Sequence, residues 1–232
     1  MVKEALILAG GFGTRISGLF PDIPKPLIPI NNTPFIKLLI DNLVNNGIIK
    51  IHILVGYKSD QIIEYLQSLR YFDINFIKET TPLGTGGAIL NALSKIENDD
   101  FFICNGDTFI DFDLKAFYKF FLDNDRSPCI LIKTLENPIR YGLVEINRDR
   151  KIIKFYQDKN ARSGLINLGS YLFNKNFFNK LTHLPKKFSF EHEILMNHNF
   201  LNEFYTFESP GIFIDIGVPE DYYKANDLLK HY

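Results

Sequence analysis

Gly10-Gly11-Phe12-Gly13-Thr14-Arg15 follows directly on the apolar run Ala5-Leu6-Ile7-Leu8-Ala9. Glycines at a strand end let backbone N–H groups close on a ligand with no Cβ in the way, and they admit positive φ. Arg15 adds a planar, permanently charged fork that matches phosphate oxygens. Downstream, Pro24-Lys25-Pro26 holds a second cation between two rings that restrict the backbone. A glycine loop with two cations points to a polyphosphate ligand. The better-known phosphate motifs do not fit: a dinucleotide fingerprint from Gly11 requires glycine where Ile16 stands, and a P-loop from Gly13 to Gly18 requires lysine where Leu19 stands.

Three further segments carry candidate chemistry. Glu79-Thr80-Thr81-Pro82-Leu83-Gly84-Thr85-Gly86-Gly87 is a glycine turn into a helix, whose free N–H groups and positive end favour an acceptor-rich partner. Asn105-Gly106-Asp107 and Ile214-Asp215-Ile216-Gly217 each put an aspartate just after an apolar run. Mg²⁺ takes a few carboxylates plus water and phosphate oxygens, so Asp107 and Asp215 facing one triphosphate make an adequate site. Asp111 and Asp113 lie close by, and a helix cap accounts for Asp113.

Strands and helices alternate through the first half, the pattern of a mostly parallel sheet covered by helices. The patterning predicts strand Ala5–Ala9, helix Phe35–Asn45, strand Lys50–Val55, helix Asp60–Leu69, strand Ile74–Lys78, helix Gly86–Lys95, strand Phe101–Cys104 and a helix over Leu114–Leu122. A strand-rich part follows, with Cys129–Leu135, Gly142–Ile146, Lys151–Tyr156 and Leu165–Phe173 extending the sheet and covering a second ligand. Helical patterns over Lys175–Leu181 and Phe190–His198 precede strands Phe204–Phe207 and Ile212–Ile214 and a closing helix Pro219–Leu229. The expected fold is α/β: a three-layer, Rossmann-like mixed sheet with helices on both faces. Ligands of such sheets collect at the carboxyl ends of strands, where all four candidate segments stand.

Composition narrows the class. A chain of 232 residues, 46% hydrophobic, with a net charge of −1, is expected to form a single domain, residues 1–232. No repeat or linker divides it. The near-neutral charge disfavours nucleic acid. No apolar stretch approaches the ~20 residues that span a bilayer, and the N-terminus lacks a leader pattern, so a cytoplasmic protein is expected. Cys104 and Cys129 lie in apolar runs and are expected to be buried thiols.

With these residues assembled, the chain resembles the sugar-1-phosphate nucleotidyltransferases, or sugar-nucleotide pyrophosphorylases, over essentially its whole length. The paired glycines with Gly-Thr-Arg and the later Pro-Lys-Pro carry the resemblance. Pro82–Ala88, Asn105-Gly106-Asp107-Thr108, Arg140-Tyr141-Gly142 and Phe213–Tyr222 look most like the D-glycero-D-manno-heptose 1-phosphate guanylyltransferase branch. The resemblance implies that Arg15 steadies the triphosphate, Lys25 touches the phosphates at the reacting centre, and Asp107 and Asp215 hold Mg²⁺. It implies nucleotide contacts at Leu8, Gly10, Gly11, Gly13, Thr14, Glu79, Gly84, Thr85 and Asn105. Sugar-phosphate contacts are implied at Gly142, Asn167, Asp158 and Lys159. Relatives carry Glu-Glu-Lys or Glu-Lys where this chain has Tyr156-Gln157-Asp158-Lys159. The chain ends soon after the closing helix, so a monofunctional enzyme is expected, compatible with a homo-oligomer.

The implied chemistry needs placement more than proton transfer. A sugar 1-phosphate oxygen is already an anionic nucleophile, so attack on the α-phosphorus of a nucleoside triphosphate calls for alignment and charge cancellation. Guanine offers N1–H and a 2-amino group side by side, which a carboxylate at Glu79 can accept, and this tilts the base towards GTP. A mannose 1-phosphate guanylyltransferase, a uridylyl- or thymidylyltransferase, and a catalytically silent regulatory homologue stay open.

Overall fold

Ala5-Leu6-Ile7, Ile53-Leu54-Val55 and Phe101–Cys104 are uninterrupted apolar runs, the pattern of strands covered on both faces. A computed structural model, describing residues 1–70, 73–181 and 183–232, builds them into one sheet. In chain order the strands are β1 (Glu4–Leu8), the short β2 (Pro29–Ile30) and β3 (Thr33–Pro34), β4 (Lys50–Val55), β5 (Asp73–Lys78), β6 (Asp100–Asn105) and β7 (Thr108–Ile110). β8 (Cys129–Glu136), β9 (Leu143–Ile146), β10 (Ile152–Tyr156), β11 (Ser163–Asn174), β12 (Tyr205–Glu208) and β13 (Phe213–Asp215) follow. The helices are α1 (Phe35–Asn45), α2 (Ser59–Ser68), α3 (Gly84–Ala92), α4 (Leu114–Asp123), α5 (His198–Leu201) and α6 (Pro219–Leu228).

Nine strands form the main sheet, running β10-β9-β11-β6-β1-β4-β5, with β8 paired to β11 and β12 paired to β8. β6, β1, β4 and β5 are parallel, and β11 runs antiparallel to β6. The chain leaves β1 towards β4 on one side and returns to β6 on the other, which opens a crevice at the carboxyl ends of β1 and β6. Leu8 and Asn105 are register partners at that edge.

Alternation along each strand divides the core in two. Ala5, Ile7, Ile51, Ile53, Phe102 and Cys104 pack under α1, α2 and α4, with Ile36, Leu39, Ile40 and Leu43 of α1 at helical spacing. Leu6, Leu54, Phe101 and Ile103 face α3 and the phenylalanine-rich stretch from Phe173 to Phe204. A third cluster joins Ile16, Ile28, Phe109, Ile214 and Ile216 beneath the N-terminal loop. Burying Ile16 and Ile28 stabilises by about 1.5–3 kcal/mol each and pins the loop that carries both cations. Both cysteines are buried and unpaired with each other, and burial pushes both thiols up from their ordinary pKa. Among the described residues no helix is long and apolar enough to cross a membrane.

The sequence expectation and the structure differ in two places. The strand expected at Ile212–Ile214 does not join the main sheet: β13 pairs antiparallel with β7, a three-residue strand the patterning does not announce. The helix expected over Phe190–His198 is a wide turn, in which the Met196 N–H donates to the Glu191 carbonyl at 2.9 Å, followed by the separate α5. Asn197 splits the two by accepting the Asn199 N–H at 3.0 Å.

Candidate active site

The glycine loop leaves β1 at the crevice. From Gly10 to Arg15 no backbone N–H finds a protein acceptor among the described residues, so a row of donors is available to an anion. Only Gly13 of the three glycines has positive φ, at 61°, and a Cβ there would meet the Lys25 Cβ at 3.0 Å. The loop therefore lies against the second cation.

Lys25 Nζ pairs with Asp107 Oδ2 at 2.5 Å, with side chains 11% and 36% exposed. Asp107 Oδ1 accepts the Thr108 hydroxyl at 3.1 Å, and the Asp107 carbonyl accepts the Ile216 N–H at 3.0 Å. That last bond, with the β7–β13 ribbon, brings Asp215 beside it: Thr108 and Asp215 are register partners. A Cβ on Gly217 would lie 2.6 Å from Asp215 Oδ1, 3.5 Å from Arg15 Nη2 and 3.6 Å from Lys25 Nζ. Two cations and the Asp215 carboxylate thus converge around one glycine, and Asp107 joins them through Lys25. Tyr141 lines the same recess as Asp215, and burial first, then the Asp215 charge, push its hydroxyl pKa up, so it remains a neutral donor.

Two adjoining recesses open here. One, of 610 Å³, is lined by the Gly10–Arg15 loop, Lys25, Glu79, Gly84 and Thr85. The other, of 270 Å³, is lined by Arg140, Tyr141, Gly142, Asn167 and Asp215. Leu8, Arg15, Thr85, Asn105, Asp107 and Glu191 line both, which places them at the boundary between the two recesses.

The Glu79 Oε2 accepts the Leu83 N–H at 3.2 Å, and Oε1 has no donor among the described residues. Of the free N–H groups the sequence suggests in the glycine turn after it, those of Gly84 and Thr85 have no acceptor among the described residues, whereas two others are taken. Gly86 and Gly87 N–H groups both donate to the Phe188 carbonyl, at 3.1 and 3.4 Å, and the Thr85 hydroxyl accepts the Phe190 N–H at 2.9 Å. Gly84, at φ 70°, and Gly86 carry no Cβ because the Phe188 carbonyl and ring occupy that space.

Across the crevice, β11 bulges between Asn167 and Tyr171, a device that re-aims side chains. The Asn167 Oδ1 accepts the Gly169 N–H at 2.8 Å, and its Nδ2 donates to the Tyr171 hydroxyl at 2.9 Å. Asp158 and Lys159 are exposed and line neither recess. The Asp158 carboxylate accepts the Asn160 N–H at 2.8 Å instead, an Asx turn. Asp111 likewise lies outside both recesses, and Asp113 caps α4 through the Ala116 N–H at 2.9 Å.

Sequence reasoning passes over Glu191, which lies in an ordinary polar stretch. It quotes Arg140 and Tyr141 within a motif but assigns only Gly142; the adjacent basic and aromatic residues were the available signal.

Asp107 and Asp215 supply hard carboxylate oxygens beside the row of N–H donors, a donor set that suits Mg²⁺.

The family profile described as nucleotidyl transferase matches residues 4–231. The chain is 38% identical over 231 residues to the D-glycero-alpha-D-manno-heptose 1-phosphate guanylyltransferase of Aneurinibacillus thermoaerophilus, covering 99% of each chain. It is 40% identical over 222 residues to the protein of that name from Campylobacter jejuni, covering 95% of this chain and 97% of the other. The crystal structure of HddC from Yersinia pseudotuberculosis complexed with GMP-PN aligns with a TM-score of 0.87 at 36% identity, over 97% of this chain and 99% of that one. A profile match from Glu4 to His231 and likeness to relatives along nearly the full length agree with the loop, cations and paired recesses: this chain belongs to the nucleotidyl transferase family.

Proposed function

We propose that the protein transfers GMP from GTP to a sugar 1-phosphate, with D-glycero-α-D-manno-heptose 1-phosphate first among the sugars, releasing pyrophosphate and forming GDP-heptose. The observation that carries this reading is the boundary between the recesses, where Arg15, Lys25, Asp107 and Asp215 meet beneath unpartnered loop N–H groups. Relatives named as heptose 1-phosphate guanylyltransferases support the choice of sugar and base.

In this reading GTP lies in the larger recess and the sugar 1-phosphate in the smaller one. An oxygen of the acceptor phosphate forms a bond to the α-phosphorus as the bond to the β-phosphate oxygen breaks, and pyrophosphate departs with that electron pair. No proton moves, so no general base is required. Arg15 and the loop N–H groups meet the charge that develops on the leaving group, and Lys25 meets the transferring phosphate. Asp107 and Asp215 would hold Mg²⁺, which supplies charge neutralisation for the phosphates when bound. Glu79 Oε1 is available to guanine N1–H and the 2-amino group. Cytoplasmic action, serving bacterial surface-glycan synthesis, belongs to the same proposal and rests on the nucleotide substrate.

The test is pyrophosphate release with Mg²⁺ across GTP, UTP, dTTP and ATP, each with heptose, mannose, glucose and N-acetylated sugar 1-phosphates. Release confined to GTP with the heptose supports the proposal. Release with mannose 1-phosphate or with a pyrimidine nucleotide alone overturns the substrate choice, and silence across the grid overturns the reaction.

A further inference from the structure

Lys159, the cation expected at the sugar phosphate, is exposed and lines neither recess. The smaller recess nevertheless holds a cation besides the boundary residue Arg15, and it is Arg140. Its Nη2 donates to the Asp221 Oδ2 and, at 3.2 Å, to the Tyr141 hydroxyl, and the guanidinium carbon stands 5.4 Å from the Tyr141 ring centroid. Among the described residues its Nε and Nη1 have no acceptor. Asp221, on α6, is buried, with its side chain 7% exposed. Lys224 Nζ approaches its other oxygen at 3.5 Å. One nitrogen of the fork is therefore anchored by a buried carboxylate, while two remain available for a ligand.

Charge supports that use. Asp107, Asp215 and Glu191 all line the smaller recess, and a sugar 1-phosphate entering it adds more negative charge. Arg140 shares this recess with Asp107 and Asp215, the carboxylates of the proposed reacting centre. An arginine fork with two unused donors suits a phosphate better than a sugar hydroxyl.

We propose that Arg140 binds the phosphate of the sugar 1-phosphate and that Asp221 is the positioning residue that aims it. The inference rests on the guanylyltransferase reading above and extends it to a residue that reading leaves unused.

Steady-state kinetics on the full chain test it, with GTP and D-glycero-α-D-manno-heptose 1-phosphate, or mannose 1-phosphate if that is the sugar turned over. Arg140→Ala is expected to raise the KM for the sugar 1-phosphate about 10- to 100-fold, the loss of a charge-assisted phosphate contact, and to leave the KM for GTP unchanged. Arg140→Lys restores part of the loss, because a point charge replaces the fork. Asp221→Asn raises the acceptor KM by a smaller factor. Inorganic phosphate, competing with the acceptor in the unchanged protein, is expected to inhibit Arg140→Ala more weakly. An unchanged acceptor KM, or an equal rise in both KM values, overturns the assignment while the wild-type turnover still stands. Should Arg140→Ala fail to fold, Arg140→Lys carries the same comparison. A wild-type protein silent with every sugar 1-phosphate overturns the guanylyltransferase reading and this inference together.

Discussion

Lys25 Nζ lies 2.5 Å from Asp107 Oδ2, across 82 residues of sequence. The pair joins the Pro-Lys-Pro segment to the carboxylate that follows the buried strand β6. It holds a cation at the centre of the site before any phosphate arrives, the preorganisation that electrostatic catalysis requires.

Separate loss of either member is expected to lower kcat by about 10²- to 10³-fold. Because the two act as a unit, Lys25→Ala combined with Asp107→Asn should cost far less than the product of the single effects. A double variant that shows the full product in kcat would mean that the two residues act independently.

Arg15→Ala is expected to lower turnover by roughly 10²-fold with little change in melting temperature. The packing beneath the loop comes from Ile16, which is 2% exposed, and not from Arg15. Normal turnover in this variant would remove Arg15 from the mechanism.

Glu79→Gln keeps an oxygen for the Leu83 N–H but replaces an acceptor-only group with one that also donates. The preference for GTP over UTP, measured as a ratio of kcat/KM values, is expected to fall about tenfold or more. An unchanged ratio would place guanine recognition elsewhere in the larger recess.

Gly169 has φ of 68°, and the space of its missing Cβ is filled by the Asn105 side chain. Gly169→Ala is expected to destabilise the fold by about 1–3 kcal/mol through backbone strain and steric overlap. Urea unfolding followed by far-UV circular dichroism measures this, and acceptor affinity should weaken as Asn105 shifts.

His52 is buried on β4 beside Glu4, whose carboxylate accepts the Glu97 N–H and the Asn98 amide, both at 2.8 Å. Burial lowers the His52 pKa below its ordinary 6.5, against the opposing pull of Glu4. The unfolded chain therefore binds a proton that the folded chain refuses. Stability contributed by neutral His52 is complete above the unfolded pKa of 6.5 and is lost as pH falls towards the lower folded value. Unfolding free energies at pH 7.5 and pH 5 should differ less in His52→Asn than in the wild type. A slope unaffected by the substitution would assign the acid sensitivity to other groups.

What the sequence determined by itself is local. Apolar runs announce β1, β4 and β6 because a strand buried on both faces needs no partner pattern to be recognised. The glycine loop and its cations are legible because their spacing spans a single turn. The β7–β13 ribbon is not, since three-residue strands about a hundred residues apart leave no periodic trace. Yet that ribbon sets Asp215 around Gly217 with Arg15 and Lys25, and Lys25 is in turn paired with Asp107. Arg140 and Asp221, 81 residues apart, meet only once the chain has folded. Phe188 takes the Gly86 and Gly87 N–H groups from a distant segment in the same way. Periodicity and turn chemistry act over a few residues and can be read along the chain, whereas strand register and helix docking choose among many distant pairings by total burial. The glycine loop and its cations were therefore written in the sequence, and the charge cluster that surrounds them was decided by the tertiary structure.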